Sequence, residues 1–309
     1  MKRPLAITMG DPSGIGPEVA LRAVADPALA ALPVVLIAHR PTIRAVAQRL
    51  GLPVPEVMDP TGEPNLPVTP GQPDAASGRL AAACIDEAAT GCLAGRYAGM
   101  VTGPISKTAI HAAGLPFPGH TEWIAARCGV TGETMLMYHD TLAVALATCH
   151  QSLASVPRDL TAERLVAVGS QLAGVLRRLR GREPRLAMCG FNPHAGEDGL
   201  FGDEDRRCIP ALAELRRQGI TCDGPLPPDT AFTPANRARY DGYITWYHDQ
   251  GLIPFKALCF DEGVNVTMGL PIIRTSVDHG TANDIAWQGI AQHRSMIEAV
   301  RLAARIAGF

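Results

Sequence analysis

Short hydrophobic runs alternate with longer amphipathic stretches from the first residues of the chain. Leu5-Ala6-Ile7-Thr8 precedes a helical pattern over residues 18–31, and Val34-Val35-Leu36-Ile37-Ala38 precedes another over 42–50. Apolar runs of strand length followed by segments of 3.6-residue period predict parallel βα units. Residues 53–73 carry Pro, Gly and Asp with little periodicity and predict an irregular surface connection. A helix over 75–93 then feeds a strand over 98–102.

Beyond this point two apolar runs, 135–138 and 142–148, flank His139-Asp140-Thr141 and predict a hairpin. The strongest amphipathic helix covers 161–180. It has Thr161 as N-cap, Glu163 in its first turn, and Arg177, Arg178 and Arg180 in its last turn before Gly181. A buried strand over 186–189, a helix over 205–218, a strand over 243–246 and a final helix over 295–306 complete the pattern. No internal repeat or low-complexity tract interrupts it.

Composition narrows the class. A chain of 309 residues that is 47% apolar can bury a large core, and this length favours two domains or one large α/β unit. With 28 Lys and Arg against 30 Asp and Glu, no long-range field recruits nucleic acid or an anionic membrane, so neither is expected as a partner. The eight cysteines include no Cys-x-x-Cys pair and several sit in apolar runs, which fits small core hydrophobes in a reducing cytoplasm. The apolar run after Met1-Lys2-Arg3 is too short for a signal peptide, and no window reaches about 18 uninterrupted apolar residues.

The chemistry concentrates after residue 246. Tyr247-His248-Asp249-Gln250-Gly251 through Arg274-Thr275-Ser276-Val277-Asp278-His279-Gly280-Thr281-Ala282 gathers imidazoles, carboxylates, a lysine and an arginine, and it follows a predicted strand, where α/β proteins place their chemistry. We read His248 and Asp249 as lying on a loop at that strand's end, and the chain as an enzyme. His150, His194 and His248 each follow a predicted strand. Singly, each is more often a structural or solvent-facing histidine than a ligand. Together they offer the imidazole count of a catalytic zinc-type site. Lys256, Asn265 and Arg274 could hold a phosphate or carboxylate, or could belong to a solvated surface. Residues 279–284, with Gly280, have no periodicity of their own and could let backbone approach a nucleotide.

Nearer the N-terminus, Asp11-Pro12-Ser13-Gly14-Ile15-Gly16-Pro17-Glu18 joins the first strand to a helix. It lacks the third glycine of the dinucleotide fingerprint, so a tight strand-to-helix turn competes evenly with a phosphate-cradling loop. Thr102-Gly103-Pro104-Ile105-Ser106-Lys107 and Gly119-His120-Thr121-Glu122 also begin loops beside predicted strands. Ordinary helix caps would explain them, but substrate contacts explain them better.

These motifs, in this order and from end to end, resemble the 4-hydroxythreonine-4-phosphate dehydrogenase family. The opening turn and the His-Gly-Thr-Ala loop are also similar to those of isocitrate and isopropylmalate dehydrogenases, whose NAD-binding fold is not a Rossmann fold. The resemblance implies two α/β domains around a cleft, one formed by residues 1–134 with 266–309 and carrying the cofactor loop. The other, 135–265, carries the metal histidines and the dimer contact. It further implies a homodimer with shared active sites and a divalent metal, most often zinc, with magnesium or cobalt as alternatives. That metal would sit on His150, His194 and His248, one of them supplied across the dimer. His120 and Thr121 correspond to substrate contacts, Lys256, Asn265 and Arg274 to the phosphate side, Asp229 to an active-site aspartate, and His279, Gly280, Thr281, Ala282 and Asn283 to the NAD or NADP loop. The implied reaction oxidises a secondary alcohol beside a carboxylate-bearing carbon, passes hydride to the nicotinamide and releases carbon dioxide. Asp229, Asp249 and Lys256 are the candidates for moving the proton.

Departures from the family pattern bear on the substrate. The first metal histidine is followed by Gln151-Ser152-Leu153-Ala154-Ser155-Val156 where Leu-Pro-Leu and then Arg-Asp-Val are usual, Asn283 replaces an apolar residue, and Trp287 replaces a small glycine. His150-Gln151-Ser152 leans toward relatives that oxidise the cis-dihydrodiol of terephthalate. Lys256, Asn265 and Arg274 lean back to a phosphorylated acid, either 4-phosphooxy-threonine or the D-threonate and D-erythronate 4-phosphates. A non-catalytic anion-binding protein of the same fold is the remaining alternative.

Overall fold

The computed structural model describes residues 2–117, 119–259 and 262–309. The strands are β1 (Leu5–Thr8), β2 (Val34–Ile37), β3 (Val57–Met58), β4 (Gly99–Thr102), β5 (Thr134–His139), β6 (Leu142–Leu146), β7 (Arg185–Cys189), β8 (Thr221–Leu226), β9 (Gly242–Thr245), β10 (Val264–Met268) and β11 (Arg274–Ser276). They belong to two compact units, one of residues 1–131 with 270–309 and the other of 132–269. The resemblance places the same divisions at 134/135 and 265/266.

In the first unit the strands run in the order β3-β2-β1-β4-β11, and every described pairing is parallel. β1, β2 and β4 are apolar nearly throughout, as strands covered by helices on both faces are, whereas β11 is Arg274-Thr275-Ser276. Leu5, Ala6, Ile7, Met100 and Val101 are fully buried. The order β3-β2-β1-β4 occurs in half of a doubly wound dinucleotide fold, but the fifth strand here comes from the far end of the chain. That topology and the missing third glycine separate the unit from a Rossmann fold.

The second unit has the order β10-β5-β6-β9-β7-β8. β10, β5 and β6 pair antiparallel, and β6, β9, β7 and β8 pair parallel. Met137, Val144, Leu146, Ala187, Tyr243 and Phe255 centre its core. The first and last residues of the unit meet, because Thr134 and Met268 are cross-strand partners. Gln171 donates to Gly132 O at 3.1 Å, and a Cβ on Gly269 would lie 2.7 Å from the same Gln171 nitrogen.

Local chemistry decides where elements begin and end. The helix Ala75–Leu93 starts at a capping box in which Asp74 and Ser77 satisfy each other's backbone N–H groups. The helix Ala162–Arg180 starts at Thr161, whose hydroxyl accepts from Arg164 N, and stops at left-handed Gly181, φ 66°. The predicted helix over 18–31 ends early, at Ala25, because Pro27 cannot continue it and opens a short 3-10 turn instead. The region 53–73 contains the two-residue strand β3 as an edge.

Candidate active site

His248 and Asp249 do not lie on a loop, as expected from the sequence. They open the helix His248–Cys259, directly after β9. Gln250 fixes that helix: its Oε1 accepts from Trp246 N at 2.8 Å and its Nε2 donates to Gly190 O at 2.7 Å. Gly251 lets the helix sit down on β6, since a Cβ there would lie 2.6 Å from Val144 Cγ1. Lys256 falls in the last turn of the same helix, and Asn265 and Arg274 fall on β10 and β11. The dense segment is therefore a helix and two strands.

Within the second unit His150 and His248 are neighbours, with ring centroids 5.5 Å apart. They share a cavity of about 450 Å³ with Cys149, Gln151, Ser152, Leu153, Val156, Tyr247 and Asp249. His248 Nδ1 donates to Asp249 Oδ1 at 2.7 Å, which leaves Nε2 with its lone pair. A carboxylate on the far nitrogen is the usual support of a metal-ligating histidine. Asp249 is thereby engaged with His248, whereas Asp229, Lys256 and Asn265 do not line this cavity. Asn265 Oδ1 is enclosed and accepts no hydrogen bond from a described residue.

His194 does not join this pair within the chain. Among the described residues no three His, Cys, Asp or Glu side chains are grouped to hold a metal, so one chain does not assemble all three histidines. His194 is exposed on the turn Pro193–Gly199, and its Nδ1 donates to Glu197 Oε2 at 2.9 Å, again leaving Nε2 open. Its backbone is left-handed at φ 52°, as are Ala195, Glu197 and Asp198. Each such residue costs roughly 1 kcal/mol or more, so the surroundings must hold the turn. Buried Asp205 does so by accepting from Phe191 N at 2.6 Å, Asn192 N at 3.1 Å and Asn192 Nδ2 at 3.0 Å. The donor set thus fits a divalent ion as a pair, His150 and His248, with the third imidazole presented outward.

The first unit carries a cluster of buried polar groups. Arg274 is 2% exposed and donates to Thr102 Oγ1 at 2.8 Å at the end of β4. Burial lowers its pKa to about 10, with Glu122 opposing the shift, so it remains a cation at neutral pH. His120 opens the helix His120–Arg127, with Thr121 behind it. Burial and then the charge of Arg274 push its imidazole well below the ordinary histidine range, against a bond to the Gly103 carbonyl. Its Nε2 is enclosed and has no described hydrogen-bond partner. Asp11, unexposed after β1, was not singled out by the sequence reading. Burial raises its pKa, while Ser13, at 2.6 Å from its Oδ1, then Ser77 and Ser106 pull it back.

The loop of residues 279–283 is locked to the turn after β1. Ile15 N donates to Thr281 O at 2.9 Å, and a Cβ on Gly14 would lie 2.8 Å from that same oxygen. Trp287 Nε1 donates to Pro12 O at 3.0 Å, and Glu18 accepts from Gly289 N and Ala291 N, both at 3.0 Å. Trp287 achieves this at φ 59°, a left-handed conformation that favours glycine. His279 Nε2 and Asn283 Oδ1 are enclosed without described partners, and a side chain on Gly280 would meet nothing within 4 Å. Such unsatisfied polar atoms around open backbone suit a polar ligand like a nicotinamide nucleotide.

Comparison with known proteins identifies the family. Residues 23–303 match the family model described as pyridoxal phosphate biosynthetic protein PdxA, and the chain belongs to that family. It is 45% identical to the 4-hydroxythreonine-4-phosphate dehydrogenase of Xanthobacter autotrophicus, over 98% of this chain and 93% of the relative. Among solved structures, the 4-hydroxythreonine-4-phosphate dehydrogenase of Klebsiella pneumoniae superposes with a TM-score of 0.89 at 40% identity, covering 99% of this chain and 100% of that one. The terephthalate 1,2-cis-dihydrodiol dehydrogenase of Burkholderia xenovorans gives 0.74 at 29% identity, covering 99% and 98%.

Proposed function

We propose that the chain catalyses metal-dependent, NAD(P)-linked oxidation, with decarboxylation, of 4-phosphooxy-L-threonine or a closely related four-carbon hydroxy-acid phosphate. The observation that carries this reading is the buried cation Arg274 beside the enclosed Nε2 of His120 and the Thr102 hydroxyl. A guanidinium that stays charged while buried strengthens the local attraction for anions, and a phosphate or carboxylate can meet it with charge-assisted hydrogen bonds. His120, held neutral, can donate to or accept from a substrate oxygen without adding charge. The family resemblance adds Lys256 and Asn265, on the second unit, as phosphate-side residues, and on the first unit Thr121 follows His120 at the start of the same helix.

His150 and His248, with His194 of a second copy, would hold the divalent ion, zinc or else magnesium or cobalt. When bound, the ion supplies Lewis-acid polarisation of the substrate hydroxyl and of the carbonyl that replaces it. Residues 279–283 hold the NAD or NADP that accepts the hydride. The hydroxyl proton leaves through Asp229 or Lys256, since Asp249 is occupied in orienting His248. The homodimer is supported by the exposed Leu200, Phe201, Ile209, Ile253 and Leu258, all in the second unit.

Gln151 and Ser152 favour a second reading, because both line the histidine cavity and depart toward the dihydrodiol branch. The deciding experiment measures NADH formation and carbon dioxide release with 4-phosphooxy-L-threonine, the threonate and erythronate 4-phosphates and the terephthalate dihydrodiol, each with zinc, magnesium or cobalt. We expect the highest kcat/KM for a phosphorylated acid, and Arg274→Gln to lower it by roughly 10- to 100-fold, mostly through KM. A preference for the dihydrodiol with no effect of Arg274→Gln overturns the phosphate reading.

A further inference from the structure

At the opposite ends of the parallel strands from the histidines, the second unit has a basic cavity of about 570 Å³. Its arginines are Arg180, Arg182, Arg185, Arg237 and Arg239, drawn from a helix end, the start of β7 and the segment before β9. His150 and His248 follow β6 and β9, whereas Asp241 precedes β9. Six extended residues from Asp241 to Tyr247 put the two cavities about 20 Å apart. The basic cavity is therefore separate from the histidine cavity.

Three of the five guanidiniums are committed. Arg182 grips Asp241 with two bonds of 2.8 and 2.7 Å, and Arg185 and Arg239 converge on Asp223 Oδ2 at 2.7 and 3.2 Å. Tyr240 also donates to that oxygen and stacks under both arginines. Arg180 and Arg237 make no ion pair with a described carboxylate. Arg180 donates to the Asp140 carbonyl at 2.9 Å, its Nε is enclosed without a hydrogen-bond partner, and Arg237 Nε donates to the Phe232 carbonyl at 3.1 Å. Among the described residues, Asp140, Asp223 and Asp241 leave the five arginines with an excess of two positive charges here, in a chain whose formal net charge is −2. An ordinary solvated arginine face pairs its cations or extends them into water. Here two are turned onto backbone carbonyls around a cavity, and one has a buried N–H that no described residue receives.

We propose that this cavity is a second anion site that takes the dianionic phosphate group of a small phosphorylated molecule, with Arg180 and Arg237 as its clamp. The charge excess matches one phosphate dianion, planar guanidiniums match its oxygens, and the volume leaves room for an organic substituent. The site would bind without taking part in the oxidation.

Calorimetric titration of the intact protein with inorganic phosphate and, separately, with glycerol 3-phosphate tests the site, at mildly alkaline pH and constant ionic strength. We expect a saturable event that persists in Arg274→Gln and weakens roughly tenfold or more in the Arg180→Gln/Arg237→Gln double variant. Arg237→Gln alone, changing a half-buried side chain held only to a carbonyl, should weaken it in a protein with unaltered thermal midpoint. Response to both titrants assigns the site to phosphate esters, and response to phosphate alone assigns it to the free ion. Binding that survives Arg180→Gln/Arg237→Gln combined with Arg274→Gln, or that vanishes in Arg274→Gln alone, overturns the proposal.

Discussion

His120 shows how a residue's surroundings set its chemistry. Its folded pKa lies below the value of about 6.5 that it has in the unfolded chain, because burial and Arg274 disfavour the imidazolium. Above pH 6.5 neither state binds the proton and this group adds no pH dependence. As pH falls below about 6.5 the unfolded chain protonates first, so stability drops by at most about 1.4 kcal/mol per pH unit until the folded pKa is reached. Urea midpoints of the wild type should therefore fall more steeply between about pH 6.5 and 5 than those of His120→Asn. Superimposable pH profiles would remove His120 as a buried neutral group. His120 was legible in the sequence because Gly119-His120-Thr121-Glu122 stands apart from any apolar run. Asp11 was equally present in a quoted motif, but nothing local distinguishes a carboxylate folded onto Ser13 and Ser77 from one that caps a helix in water.

At the level of elements, periodicity served well where helices carry their own signals. The helix Ala75–Leu93 has the predicted bounds because Asp74 and Ser77 cap it, and the helix Ala162–Arg180 ends at Gly181 as its cationic last turn implies. The helix His248–Cys259 was missed. Pro254 lies inside it, its polar first turn reads as loop, and Gln250 stabilises its start through contacts 60 residues away in sequence. The left-handed turn at 194–198 was invisible for a related reason, since Asp205 holds it from outside. Asp205→Ala should cost roughly 2–4 kcal/mol by stranding the N–H groups of Phe191 and Asn192. It should also speed amide exchange at residues 191–195 while leaving the distant helix Ala75–Leu93 protected. Unchanged exchange there would mean that the turn holds itself. The basic cavity is not legible in the sequence because its arginines come from two stretches, 180–185 and 237–239, more than fifty residues apart.

For the whole molecule, the chain leaves the first unit at Thr131 and returns at Leu270 after 138 residues, and the points of departure and return are adjacent. A chain segment whose two ends coincide is topologically a plug-in module. Excised, residues 132–269 keep every strand pairing from β5 to β10 and the whole of their core, so they should fold alone. Circular dichroism and a single cooperative urea transition of the isolated segment would show it, whereas a molten or unfolded fragment would show that the first unit is needed. The same closure makes the complementary deletion possible, because a few residues suffice to rejoin 131 to 270. An enzyme arranged in this way can exchange the half that carries its histidines, and with it Gln151 and Ser152, while the half that holds Arg274 and the residue 279–283 loop is inherited intact. Substrate range in such a lineage can then change by replacement of a module as well as by point substitution.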